Sequence, residues 1–187
     1  MTFKNLHNNL ERLTTKPRII TLFILAHLVL LMMMLFTFPR INAQLGTEAF
    51  DLKAMGYSVE EATVMINKLD QATVDLYLFP QLFLLDLFYP LLLGLLLSAL
   101  IIRLSHLIKL PSGHILSNLY LLPFLAMLLD YGENILIAKM ITNSNHVSET
   151  IIKTASLFTQ IKSGTTTLCW LVVVVYFVVW LVRKKRR

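Results

Sequence analysis

The chain has 187 residues, 56% of them hydrophobic and 15% charged, with a formal net charge of +6 and a mean hydropathy of +0.68. A water-soluble domain carries about a quarter charged residues, so this composition excludes a chain that covers itself with polar side chains, and lipid must be part of its solvent. A single cysteine, Cys169, excludes an intramolecular disulfide and any thiol chemistry that needs a pair.

Lys4, Arg12, Lys16 and Arg18 precede the first apolar run, Ile19 to Phe38. That run is longer than the roughly 7–15 residues of a signal-peptide core, so a retained first span is expected. His27 within it reads as a packed histidine with a local hydrogen bond. Met32, Met33 and Met34 read as adaptable or lipid-facing packing.

The outer segment, residues 40–75, is too long for a turn. It is acidic, with Glu48, Asp51, Glu60, Glu61, Asp70 and Asp75 against Arg40, Lys53 and Lys68. Ser58 followed three residues later by Glu61 forms a capping-box pattern. Val59, Ala62, Met65, Ile66 and Leu69 then recur at helical spacing. A short amphipathic helix from about Val59 to Leu69 is expected across the outer end of the bundle.

The second run, Leu76 to Ile102, carries Asp86, Tyr89 and the small pair Gly94 and Ser98, a spacing that permits close helix packing. Arg103 and Lys109 follow it. The third run, Ile115 to Ile137, contains Asp130-Tyr131-Gly132-Glu133-Asn134, and the fourth, Ser163 to Val182, is preceded by Thr159, Gln160 and Lys162. Pro80, Pro90 and Pro123 are placed to kink their helices and free backbone carbonyls. Spanning strands would be shorter and would alternate in polarity. The sequence therefore reads as all-α: one transmembrane domain over 1–187, a four-helix bundle with spans of about 19–38, 76–102, 114–140 and 156–182.

Basic residues in the N-terminal segment, in the connection between spans two and three, and in the tail from Arg183 to Arg187 fall on one side of a four-span topology. Both termini are therefore expected to be cytoplasmic. The basic tail is expected to meet anionic lipid headgroups, with membrane lipids as the general partner. Because the positive residues sit beside apolar runs, the net charge does not imply nucleic-acid binding.

Charged groups inside spans cost several kcal/mol unless paired or hydrated. Counting about 1.5 Å of rise per residue from Arg103, His114 and Arg183 places Asp86, Asp130, Glu133 and Lys162 about 24–32 Å above the inner ends. The hydrocarbon core is about 30 Å thick, so all four reach one outer layer. Asp130, Glu133 and Asn134 share a helical face, which lipid cannot tolerate and the bundle interior can. Lys162 is the expected counter-ion. Three carboxylates facing one ammonium leave surplus acid, to be balanced by a proton or a cationic group.

Asp86, Asp130, Glu133, Asn134, Lys162, Tyr89 and Tyr131 are therefore the candidate ligand-binding residues. Oxygen ligands suit hard cations, but no spacing is specific to a metal, and none is assigned. His27, His106 and His114 do not form a matched axial pair for haem, His7 and His146 lie outside the spans, and no cofactor or catalytic motif can be identified. The gross layout, four helices with membrane-embedded acids, resembles that of the EXPERA-type sterol isomerases and sigma-2-like ligand receptors. That likeness is one of architecture, without motifs that match residue by residue, and the long outer segment departs from it. The expected function is an outward-opening pocket within the bundle for a lipid-like or cationic amphiphile. The alternatives are a membrane enzyme using paired carboxylates as acid and base on a lipid-like substrate, a scaffold subunit of a membrane complex, and a proton or cation carrier.

Overall fold

The computed structural model describes residues 9–111, 115–143 and 147–186; Lys4, His7, His114, His146 and Arg187 lie outside them. Among the described residues every regular element is helical. Four helices are long and apolar enough to cross a membrane: α1 (Lys16–Leu45) and, after a short helix α2 (Val59–Lys68), α3 (Gln71–Leu107), α4 (Leu116–Thr142) and α5 (Glu149–Lys185). α1 packs along α3, and α5 packs along α4 and α3, while α1 and α5 make little contact with each other. Large apolar side chains such as Phe23, Leu28 and Phe36 on α1 and Leu171, Val175 and Phe177 on α5 stay exposed. The outside of the bundle is thus an apolar surface of the kind that lipid covers.

Each helix overruns the apolar stretch that marks it. α1 starts with Pro17 in its first turn, where the missing N–H costs nothing, and stops at Gly46, whose φ of 69° provides the left-handed cap. α5 starts at Ser148, whose hydroxyl accepts from the Ile151 amide at 3.3 Å. Its 37 residues make a rod of about 55 Å, longer than the hydrocarbon core of about 30 Å. Its first turns carry the segment between α1 and α3. Ser156 holds that segment, accepting from the Tyr57 amide and donating to the Tyr57 carbonyl, both at 2.9 Å. The neighbouring Gly56, with a φ of 79°, lies so close that a Cβ would collide with Gln160 and Ser156.

Two wide π-helical turns face each other where this segment meets the bundle. Met33–Thr37 interrupts α1 and Tyr77–Leu85 interrupts α3, with Phe79 leaving helical geometry ahead of Pro80. Such turns free backbone groups and shift side chains off the regular helical stripe. Thr37 on the first donates to buried Gln81 on the second at 2.5 Å. Pro90 is accommodated inside the α-helical part of α3. Pro123 does not kink α4 as the sequence suggested; it lies in the first turn of the α-helix Leu122–Thr142, after a 3-10 stretch Ile115–Leu121, where proline starts a helix without breaking it.

Close packing of α3 on α4 is set by the small pair. A Cβ at Gly94 would sit 3.6 Å from the Pro123 carbonyl, and Ser98 donates to the Tyr120 carbonyl at 2.7 Å. Cys169 is a fully buried packing residue beside Leu22, Leu96 and Leu97. His27 bonds the Phe23 carbonyl at 2.8 Å and stacks on the Phe23 ring. Met33 is buried, and Met32 and Met34 face outward. At one end of the bundle Arg103 donates to the Thr14 carbonyl at 2.6 Å and Arg183 donates to the Ile108 carbonyl. The segment between α1 and α3 closes the opposite end.

α2 buries Ala62, Met65 and Ile66 and packs on α1 and α5. Ser58 caps it, accepting from the Glu61 amide at 3.1 Å. The reciprocal half of the expected capping box is replaced: the Glu61 carboxylate pairs with Lys53 at 2.6 Å. Ser58→Ala should therefore destabilise α2 by about 1 kcal/mol, the usual cost of an N-cap. Amide exchange over residues 59–68 should rise while α3 and α4 stay protected. Unchanged exchange would show that the buried face alone holds the helix.

Candidate functional site

Lys162 carries its ammonium into the bundle from α5, with a side chain only 12% exposed. An unpaired ammonium there would be very costly, and α4 supplies two partners one turn apart. Asp130 lies 2.7 Å away and Glu133 2.5 Å. The second oxygen of Glu133, which is fully buried, accepts from the Thr159 hydroxyl at 2.6 Å. One residue of α4 lets the helices approach this closely: a Cβ at Gly132 would collide with the Phe158 ring. Asp130, Glu133, Thr159 and Lys162 thus form one ion-pair network between α4 and α5.

The other sequence candidates divide between the network's edge and the structure around it. Asn134 reaches the Asp86 carbonyl at 3.4 Å, a long contact, and Tyr131 donates to the Leu87 carbonyl at 2.8 Å. Both tie α4 to α3 instead of facing the ammonium. Asp86, 3% exposed, is not an ion-pair partner of Lys162 in the structure; its Oδ2 is buried without a hydrogen-bond partner. Asp86, Tyr89, Asp130 and Lys162 line a common cavity of about 240 Å³. Leu30, Met33 and Phe38 of α1, Leu93 of α3 and Thr166 of α5 supply most of the rest of its wall.

One acid on that wall belongs to the segment between α1 and α2. Asp51 sits in a single 3-10 turn, Phe50–Leu52, whose Phe50 is fully buried. Tyr77 anchors the turn from α3: its hydroxyl accepts from the Phe50 amide at 3.0 Å and donates to Asp51 Oδ2 at 2.5 Å. Asp51 Oδ1 is buried without a partner. Burial pushes the Asp51 carboxyl above the usual carboxylate range, and the Lys162 ammonium and the Tyr77 hydrogen bond offset this only in part. In the sequence Asp51 is one acid among six in its segment. Its one distinguishing sign is the apolar setting Ala49-Phe50-Asp51-Leu52, a single acid between apolar residues where Glu60 and Glu61 stand as a pair. Tyr77, Thr159 and the Thr37–Gln81 pair give no comparable signal.

Four carboxylates, from Asp51, Asp86, Asp130 and Glu133, therefore gather around one ammonium. Among the described residues no three His, Cys, Asp or Glu side chains converge closely enough to hold a metal ion. A regular cage of oxygens is thus not what the acids form. No family model, curated protein or solved structure matches the chain.

The geometry predicts which substitution compensates for loss of the lysine. Lys162→Met leaves Glu133 buried and unpaired, a loss of about 3–5 kcal/mol if the carboxylate stays charged, and the melting temperature in detergent should fall. Adding Glu133→Gln should recover most of it, and adding Asp86→Asn should recover little. A Glu133→Gln double variant no more stable than Lys162→Met alone would show that the ion pair is not what the lysine contributes.

Proposed function

We propose that the acidic cavity holds the cationic head of a membrane-soluble amphiphile, whose apolar body lies against the bundle. The observation that carries this reading is charge imbalance in a confined space. Lys162 is already committed to Asp130 and Glu133, while Asp51 Oδ1 and Asp86 Oδ2 are buried without partners beside the same cavity. A cationic group placed there would satisfy both orphan oxygens and offset the surplus negative charge.

Volume favours a headgroup over a whole ligand. Drug-sized molecules occupy about 300–1,000 Å³, and the cavity has about 240 Å³. Its wall is mixed, with carboxylates and Tyr89 on one part and Leu30, Met33 and Leu93 on another. α1 and α5, which both contribute to it, make little mutual contact, and this leaves a side of the bundle on which an alkyl body can rest among lipids.

Binding can be measured with the protein in nanodiscs, using dodecylamine and dodecanol as matched probes. The amine should bind at least tenfold more tightly, a difference of about 1.4 kcal/mol. Asp86→Asn should remove that preference while the melting temperature is maintained. Equal binding of amine and alcohol would overturn the reading. A stoichiometric partner protein co-purifying in place of any amphiphile would favour a scaffold role for the network.

In the same reading both termini are cytoplasmic and the cavity lies toward the outer face, because basic residues accumulate at the end of the bundle that holds Lys16, Arg103 and Arg183. Reporters fused after Arg187 and within residues 105–111 should read cytoplasmic, and one near Gly46 external. An external C-terminal reporter would reverse the assignment.

A further inference from the structure

A second and larger cavity, about 620 Å³, lies at the opposite end of the same cleft between α1 and α5. Leu100 of α3 forms part of its floor, and Ile20 and Phe177 stand at its sides, 57% and 46% exposed. Its polar end is lined by Lys16, Arg103 and Lys184, one from each of the three helices. Arg103 spends one guanidinium nitrogen on the Thr14 carbonyl, and Lys184 lies over the Trp180 ring, 5.2 Å from its centre.

Nothing on the lining helices neutralises these cations. α1 has no acid between Lys16 and Leu45, Asp86 is the last acid of α3, and Glu149 is the only acid of α5. Both of those acids belong to the far half of their helices. The nearest acid by chain position, Glu11, faces His106 at 3.7 Å. An apolar groove lined by three cations and an indole has the polarity of an anionic phospholipid: phosphate at the charged end, acyl chain along the apolar walls.

We infer that this groove is a binding site for one anionic phospholipid, with Lys16, Arg103 and Lys184 holding the phosphate and one acyl chain lying over Leu100 between α1 and α5. It differs from attraction of the basic tail to a charged surface, because it is built from three helices and has a place for the chain. It is also independent of the acidic cavity at the other end of the cleft.

The test is native mass spectrometry of protein released from nanodiscs of phosphatidylcholine doped with phosphatidylglycerol. One retained phosphatidylglycerol per chain is expected. Lys16→Gln with Lys184→Gln should reduce its retention at least tenfold; both lysines are exposed, so the melting temperature should not change. Lys185→Gln with Arg186→Gln, in the tail beyond the groove, should leave retention intact. Leu100→Trp, which fills the floor and keeps every charge, should also displace the lipid. The inference is overturned if the tail pair lowers retention as much as the groove pair, or if phosphatidylcholine is retained equally well.

Discussion

A lysine ammonium in the interior of a helical bundle dictates what its neighbours can be. Without compensation it would cost several kcal/mol, and two carboxylates on one face of α4 supply that compensation at 2.5 and 2.7 Å. The demand propagates outward. Those distances require α4 and α5 to approach closely, which makes Gly132 the residue under the Phe158 ring. Glu133 brings a second oxygen that must be satisfied, and Thr159 satisfies it from the same helix as the lysine. The next turn of α5 toward its N-terminus then presents Ser156, which anchors Tyr57 and with it the segment that closes this end of the bundle.

That closure brings a further charge into an already acidic space. Asp51 is held at the cavity wall by Tyr77, and the same hydroxyl orders the Phe50 amide, so the acid is positioned by structure and not left to find water. The π turns in α1 and α3 lie at this level and meet through Thr37 and Gln81. Met33 of the α1 turn lines the cavity beside the network, so this wide turn forms part of the cavity wall. A network serving only to join α4 to α5 would be complete with Lys162, Asp130, Glu133 and Thr159. Asp51 and Asp86 add unpaired acid at a cost in stability, and on the proposed reading a cationic head offsets that cost.

The architecture was legible in the sequence because lipid imposes a length and a polarity that few other constraints mimic. Four apolar runs and the Ser58 cap were enough to locate α1 to α5. Helix ends were less legible, since α1 and α5 continue well past their apolar stretches on caps at Gly46 and Ser148. Within the polar layer, counting helical rise correctly suggested that Lys162 and the α4 acids share a depth, because that depends only on geometry within each helix. It could not say which carboxylate the ammonium would choose. That depends on helix rotation and on close approach at Gly132, neither of which leaves a periodic signal. Asp51 is the clearer limit: a loop residue reaches the cavity only through the tertiary contacts of Tyr57 and Tyr77, and chain spacing carries no trace of them.

The two cavities occupy one cleft but present opposite charge, and what separates them explains how both persist. Between them Leu22 of α1, Leu96 and Leu97 of α3, and Cys169 of α5 form a packed apolar layer. In so apolar a medium the acidic and basic ends are poorly screened from one another, yet the distance along α3 from Asp86 to Arg103 is about 25 Å at 1.5 Å per residue, too far for direct neutralisation. Each end must therefore find its counter-charge locally. At the acidic end one ammonium is built in and leaves carboxylates in excess. At the basic end the three cations lining the groove have no acid on their own helices nearer than Asp86. The surplus acid of one end and the surplus base of the other thus stay apart along the bundle axis, with the apolar layer between them. Basic residues at one end are what membrane topology asks for, so packing and topology together leave unexplained only the surplus of buried acid at the other end, where Asp51 and Asp86 keep unpartnered oxygens.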